Sequence, residues 1–282
     1  INHMERTEEA VSEYQRLEGQ RSGLEITFSL MFIIVALLLL LTTLGSATSA
    51  TVAQQSTRVF LPLVSDVRQQ NELRTGRATY YDATGDGNCS VGPTPNDLLV
   101  AAISYEDYGN PNPEGNPAGG PAAVYCGAYL EVTGERGSVV VRVVDKCPDA
   151  ICTRGHLDLS PQAFARIAPL EKGIVPITWR VISPDLGRNL AYRVKEGSNQ
   201  WWTAIQVRYH RNPIVKLEYR TSAGQWVTMV RQDYNYFVGV NMGLGPYTLR
   251  VTDAYGNVIT DSGIVFGQGL ETPGRSQFPP GP

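Results

Sequence analysis

Two carboxylates stand in settings rigid enough for acid–base chemistry: Asp145 in VVDKCP and Asp158 in GHLDLSP. Strand alternation turns Leu157 and Leu159 toward a core, which sends Asp158 to the opposite face just ahead of a helix start. A carboxyl held there acts as a general acid if its pKa is raised; otherwise it is a structural group that hydrogen-bonds a nearby turn. A second chemistry belongs to aromatic faces. The stretch KEGSNQWWTAIQVR sets Trp201 and Trp202 side by side in a chain with four tryptophans. In a regular strand such neighbours face opposite ways, one to the core and one to solvent. Four cysteines, Cys89, Cys126, Cys147 and Cys152, fall in one region. The short CPDAIC loop favours Cys147 with Cys152, and hence Cys89 with Cys126. Neither pair has the Cys-x-x-Cys spacing of a zinc site. His156 and His210 show no partner spacing for a metal or a triad, so no metal and no cofactor is implied.

These side chains need a scaffold of strands. GRATYYD, AYLEV, SVVVRVVD and GIVPITWRVI read as strands, the middle two as a hairpin around residues 134–137. In HLDLSPQAFARIA the period becomes helical: Ser160 suits an N-cap, Pro161 the first turn, and Phe164 with Ile167 a short apolar face. A parallel α/β series would place a long helix after each strand, so the pattern predicts a β-barrel with one short helix instead. Beyond residue 187 the runs LAYRVKE, WWTAIQVRYH, IVKLEYRT, QWVTMVRQ, YFVGVN, PYTLRVTD and NVITDSGIVF predict an antiparallel β-sandwich. Trp179 and Trp226, each alone in a strand, read as core. The predicted organisation is all-β, with a linker over residues 51–72, a barrel over 73–186, a sandwich over 187–270 and a Pro/Gly-rich tail over 271–282.

The 282 residues include 24 Lys and Arg against 27 Asp and Glu, a net charge of -3 that argues against a general nucleic-acid binder. The charge is uneven: 9 basic against 14 acidic residues over 71–186, then 9 against 5 over 187–270. An acidic half precedes a basic one, which implies two tasks. Residues 26–44, ITFSLMFIIVALLLLLTTL, form an uncharged apolar run of bilayer-spanning length, and GSATSA after it suits signal-peptidase cleavage. Residues 1–50 are therefore expected to be a charged segment and an apolar signal or transmembrane anchor, with Met4 a better initiator than Ile1. The remainder is expected to be secreted, or membrane-anchored if uncut, and the cysteines agree with an oxidising compartment.

Taken together, TGRATYYD, YCGAYLEV, VVDKCP, GHLDLSPQAF, ITWRV, YRVKEGSNQWW, AIQVR and DYNYFV resemble the microbial, bacterial-type expansins over residues 73–266. The resemblance implies a double-psi β-barrel followed by an immunoglobulin-like β-sandwich that binds carbohydrate. It also implies a protein that loosens cell walls by weakening noncovalent contacts between polysaccharides, without hydrolysis. Carried over, Asp158 is the essential groove aspartate, Asp145 its companion and Thr79 the groove threonine. Where several bacterial members have a groove tyrosine this chain has Cys147, so a disulfide-closed loop is expected to take that place. Trp201, Trp202 and Tyr234 match the family's flat aromatic row, and Lys195 a basic residue beside it that meets a sugar hydroxyl or an acidic wall polymer. For both tryptophans to reach the surface the chain must twist or bulge at the strand's start, which GSNQ permits. The implied partners are cellulose and other cell-wall polysaccharides, peptidoglycan among the candidates, and the implied state is a monomer.

Endoglucanase-type glycoside hydrolases share this barrel, but they need a second carboxylate across the bond, about 5 Å away for retention or about 6.5–9.5 Å for inversion. Asp82 in TYYD stands near where those enzymes place their base. The following ATGDGN is a turn, however, and Asp is a common turn starter. The residues thus read as a non-hydrolytic wall-loosening protein, with an endoglucanase-like hydrolase as the alternative. A peptidoglycan-acting barrel of the rare lipoprotein A type shares DKCP and DLSP but normally lacks the sandwich with paired tryptophans.

Overall fold

The computed structural model describes residues 72–92, 95–108 and 123–282. The expected signal or anchor and nearly all of the linker lie outside the described residues. The first body is a closed barrel of β1 (Arg74–Tyr80), β2 (Val100–Ser104), β3 (Tyr129–Gly134), β4 (Gly137–Cys147), β5 (Leu157–Leu159) and β6 (Val175–Ile182), in the order β1-β5-β2-β4-β3-β6. The pairs β1/β5 and β2/β4 run parallel and the remaining neighbours antiparallel, as a double-psi β-barrel requires. The β3–β4 hairpin closes at Gly134 and Gly137, as the pattern predicts. No pattern marks out β2, because all five of its residues are buried and show no alternation.

Two short helices complete the barrel: α1 (Tyr105–Tyr108) and α2 (Pro161–Ile167). Ser160 caps α2, its Oγ accepting the Ala163 N–H at 3.1 Å, and Pro161 opens the first turn. The helix buries Ala163, Phe164 and Ile167 against the barrel core, which also holds Leu130, Val141, Leu157, Leu159 and Trp179. A close backbone approach seats β5 against β1. A Cβ on Gly76 would lie 1.9 Å from the Gly155 carbonyl oxygen, so a residue without a Cβ is needed there. Trp179 donates its Nε1–H to that same oxygen at 2.9 Å. Buried Asp107 fixes the loop from the other side, accepting from Gly155 N–H at 2.6 Å, Ser104 Oγ–H at 2.7 Å and Arg74 Nη1 at 3.0 Å.

The second body is a sandwich of β7 (Ala191–Val194), β8 (Trp202–Arg208), β9 (Ile214–Arg220), β10 (Trp226–Thr228), β11 (Val230–Arg231), β12 (Phe237–Val240), β13 (Tyr247–Asp253), β14 (Val258–Ile264) and β15 (Glu271–Pro273). One sheet has the order β10-β9-β13-β14 and the other β11-β12-β8-β7-β15. Tyr192, Ile205, Leu217, Phe237, Leu249 and Val251 fill the space between them.

Three details differ from the sequence pattern. QWVTMVRQ is two strands, because buried Met229 ties its N–H to the Leu217 carbonyl at 2.9 Å and the chain then crosses to the opposite sheet as β11. Trp226 is not core. It pairs with Arg220 on the edge strand β10 and lies half-buried under the Arg250 guanidinium, 4.4 Å from its ring centre. Residues 271–282 are not a tail but a strap of the sandwich. β15 pairs with β7, Leu190 N–H donates to the Ser276 carbonyl at 3.0 Å, and Phe278 is buried in the core.

Hydrogen bonds join the barrel to the sandwich. The carbonyl of Cys89 accepts Gln206 Nε2 at 3.0 Å and Asn235 Nδ2 at 3.1 Å, and the Asp233 carbonyl accepts Asn88 Nδ2 at 2.9 Å and the Tyr108 hydroxyl. His210 is buried beside Gly127, where a Cβ would come within 2.7 Å of the ring. Burial, with Arg142 and Arg231 nearby, pushes the His210 imidazole down from 6.5 to about 3. Arg231 is buried as well and is pushed down to about 9.

Phe278→Ala is expected to lower unfolding stability by about 3–5 kcal/mol in denaturant titrations, the cost of a cavity left by a buried aromatic ring. His210 gives a pH dependence of definite sign. Between its unfolded value of 6.5 and its folded value of about 3 the unfolded chain binds the extra proton, so stability falls as pH drops through that window. At about pH 4 the loss relative to neutral pH is on the order of 3 kcal/mol. Denaturant titrations at several pH values check this: His210→Gln should flatten the decline, whatever it does to stability at neutral pH.

Candidate functional site

Strand register assembles the groove. Thr79 of β1 pairs with Asp158 of β5, Asp158 with Ala102 of β2, and Ala102 with Asp145 of β4. These residues form one row across four adjacent strands, on the outer face, because Leu157, Leu159, Ala101 and Ile103 point into the core. A bulge on β4 completes the row. Ala101 pairs with Val143 but Ala102 with Asp145, so the ladder skips Val144 and brings Asp145 into register. The Val144 carbonyl instead accepts the Cys89 N–H at 3.1 Å.

Asp158 and Asp145 sit in different environments. The Thr79 hydroxyl donates to Asp158 Oδ1 at 2.6 Å. Thr79 has one proton to give, so its oxygen accepts from His156 Nε2, 2.9 Å away. His156 Nδ1 is buried without a hydrogen-bond partner, in keeping with a neutral ring that burial and Arg77 push below the usual histidine range. Burial raises the Asp158 carboxyl above the usual range; the Thr79 bond pulls it back, and the charges of Asp149 and Asp145 push it up again. Asp145 is tied to the backbone: its Oδ1 accepts Asn88 N–H at 2.7 Å and Lys146 N–H at 2.8 Å. A Cβ on Gly87 would lie 2.4 Å from its carboxyl carbon, so the loop preceding Cys89 is packed directly on this side chain. Asp82 is exposed, one residue past the ladder that ends with Tyr81 N–H on the Leu159 carbonyl at 3.0 Å.

Cys147 and Cys152 are bonded to each other, as are Cys89 and Cys126. The first pair packs with Ala102 and Tyr81 into a small apolar cluster. A disulfide and Tyr81, one residue past β1, therefore pack together beside the row. Tyr81 escapes the sequence reading, although the repeated Tyr of TYYD carries the signal, since alternation from Thr79 sets Tyr81 on the same face. Its hydroxyl is buried without a partner, and burial, then Asp145, then Asp158 push it above the usual tyrosine range. His156, to which the sequence assigns no role, stands behind Thr79. Among the described residues no group of three His, Cys, Asp or Glu is placed to hold a metal ion.

Asn199 resolves the tryptophan pair. Its Oδ1 accepts the N–H groups of both Trp201 and Trp202 at 3.0 Å, and its own N–H donates to the Trp202 carbonyl at 2.8 Å. This Asx turn leaves Trp201 in a bend one residue before β8, where alternation does not govern it. Trp201 is 65% exposed, and Trp202 is half-buried. Tyr234 lies in the turn before β12, its ring centre 6.0 Å from that of Tyr236. Register pairs Val240 with Trp202 and Phe237 with Ile205, so Trp202 and Tyr234 belong to opposite ends of β8, about 20 Å apart by the rise of an extended strand. Lys195 lies between them, its Nζ 5.9 Å from the Tyr236 ring centre, at a recess of about 380 Å³ shared with Asp86 and Ser90 of the barrel. The Tyr234 turn is pinned to the barrel through Asp233, which also meets Lys146 at 3.7 Å. Lys146 directly follows Asp145, so the turn that carries Tyr234 abuts the groove row.

Comparison with known proteins places this geometry. A family model described as lytic transglycolase matches residues 116–179. The chain is 39% identical over 217 residues to expansin-YoaJ of Bacillus subtilis, an alignment that spans 74% of this chain and 88% of that one. Expansin-like protein 1 of Dictyostelium discoideum is 27% identical, over 67% of this chain and 66% of its own. Among solved structures, a mutant Clavibacter michiganensis expansin in complex with cellohexaose matches with a TM-score of 0.64 and 34% identity, over 74% of this chain and 99% of that one. The register-built groove, the barrel–sandwich order and this identity over most of a relative's length agree: the chain belongs to the expansin family.

Proposed function

We propose that this expansin binds cell-wall β-glucan, cellulose foremost, along Trp201, Trp202, Lys195 and Tyr234, and loosens noncovalent contacts between chains through the groove row of Thr79, Asp158 and Asp145, without hydrolysis. One observation carries this reading. Asp158, its pKa raised, is held by Thr79 in an outward-facing row, while the strand-borne carboxylate beside it, Asp145, is already occupied by two backbone N–H groups. An acid is therefore present, and the neighbouring carboxylate holds a loop through its Oδ1. Asp82 points to solvent beyond the ladder, and Asp149 rides on the exposed disulfide loop.

The geometry supports a division of labour. Pyranose rings present apolar C–H faces that shed water against aromatic rings, and several such contacts in line add their modest terms. The row along β8 thus holds the polymer. Asp158 competes for glucan hydroxyls that otherwise bond a neighbouring chain, so contacts between chains break while covalent bonds stay intact. The likeness to a relative crystallised with cellohexaose supports this ligand class. The two disulfides support action outside the cell, where an oxidising environment preserves them.

Asp158→Asn keeps the shape of the side chain and removes its charge and its titration. Creep of heat-killed wall strips under constant load should fall at least tenfold with this variant, while its binding to insoluble cellulose stays within about twofold, since β8 is untouched. Unchanged creep would reject the groove assignment. Changing Trp201, Trp202 and Tyr234 together to Ala should reduce cellulose binding by about a hundredfold or more in depletion isotherms, at about 1.4 kcal/mol per tenfold. The circular dichroism of this variant should match the parent, because none of the three rings belongs to either core.

A further inference from the structure

The outer face of the five-stranded sheet carries more than aromatic residues. Val240 of β12 is the register partner of Trp202, so both side chains project to the same side. Val238 follows by alternation, and Val230 of the edge strand β11 is its register partner. The other residues of these strands face inward: Phe237 fills the core, and Arg231, paired with it, stacks 4.9 Å over its ring. Val230 is 65% exposed and Val240 60%, close to the figure for Trp201 itself. Three aliphatic side chains thus continue the face of Trp202 across two further strands, to the sheet edge.

We propose that Val230, Val238 and Val240 form a second track for polysaccharide, beside the Trp end of the aromatic row, which takes the glucan chain lying next to the one held by Trp201 and Trp202. The proposal rests on the aromatic row being the glucan-binding surface. Strands lie about 4.8 Å apart, so the track from β8 to β11 adds about 10 Å to the width of the face, more than a single pyranose ring needs. A shelf of that width and apolar character matches the packed C–H surface of an ordered cellulose face, where neighbouring chains lie parallel and level. A lone chain in solution offers it nothing. A second copy of this protein fits less well. Three valines, one on the two-residue edge strand β11 and two on β12, expose far less than the roughly 800 Å² per partner that a stable interface buries. On the β7 side of β8 the same face carries Arg193 and Lys195, and Arg208 ends β8 itself, so the apolar part of the face lies on the valine side.

The test compares one ligand wide enough to cover both tracks with one that covers only the aromatic row. Val230 and Val240 are changed together to Thr, which keeps the β-branched shape and turns one methyl group on each into a hydroxyl. Depletion isotherms on microcrystalline cellulose should then show a loss of about tenfold, the scale of two methyl groups withdrawn from an apolar contact. Calorimetric binding of cellohexaose should stay unchanged. The double Leu variant, Val230→Leu with Val240→Leu, should retain crystalline binding, which separates loss of apolar surface from loss of fold. The proposal is overturned if crystalline binding is unaffected by Thr, if cellohexaose binding falls in parallel, or if sedimentation shows a dimer that the Thr variant dissolves. Failure of the parent protein to bind cellohexaose or cellulose would instead overturn the aromatic-row reading beneath it.

Discussion

Strand β5 is three residues long, and the arrangement of the groove depends on its being clamped between β1 and β2. A strand that short has little pairing energy of its own, and it lies parallel to one neighbour and antiparallel to the other. Its position is imposed by what precedes and follows it. Gly155 touches Gly76 backbone to backbone and is bonded by Asp107 and Trp179, while Ser160 and Pro161 start α2 immediately after Leu159. With both ends held, Leu157 and Leu159 can only enter the core, and Asp158 can only emerge beside Thr79. A one-residue slip would bury the carboxylate and expose two leucines, a change that the barrel core forbids.

The same economy of means joins the groove to the sandwich. The bulge at Val144 brings Asp145 into the row and at the same time frees a carbonyl for Cys89. Asp145 holds Asn88, and Asn88 and Cys89 in turn bond the turn that carries Tyr234 and the side chain of Gln206. A few backbone carbonyls therefore set where the aromatic row begins relative to the carboxyl. His210 and Arg231 are buried nearby, and burial pushes both below their usual ranges.

How much of this is legible in the sequence depends on how local the cause is. Asp158 is legible because its two leucines and its capped helix are immediate neighbours, and the β3–β4 hairpin because its turn lies between its strands. Thr79 becomes legible through family resemblance, as its partner lies 79 residues away and only the β1/β5 register joins them. Tyr81 is half-legible: its spacing from Thr79 is right, but the disulfide it packs against comes from a different strand. β2 and Trp226 defeat the pattern for opposite reasons, one being buried on both faces and the other lying on an edge that a stacked arginine covers. The strap at residues 271–282 looks like a tail because proline and glycine make up half of it, yet it pairs with β7 and buries Phe278 in the core. The Trp201–Trp202 pair turns on Asn199, whose side chain imitates a strand partner for both N–H groups and so lifts the first tryptophan out of the alternation.

The central claim is that Asp158 acts on contacts between polymers and leaves the glycosidic bond intact. Hydrolysis in water enriched in oxygen-18 places the heavy isotope at every newly formed reducing end, so mass spectrometry of the glucan counts bond cleavage directly. Wall strips extending under load in such water, with the protein present, should show no more isotope at their reducing ends than strips without it. Label that rises with protein concentration in step with extension would contradict the account.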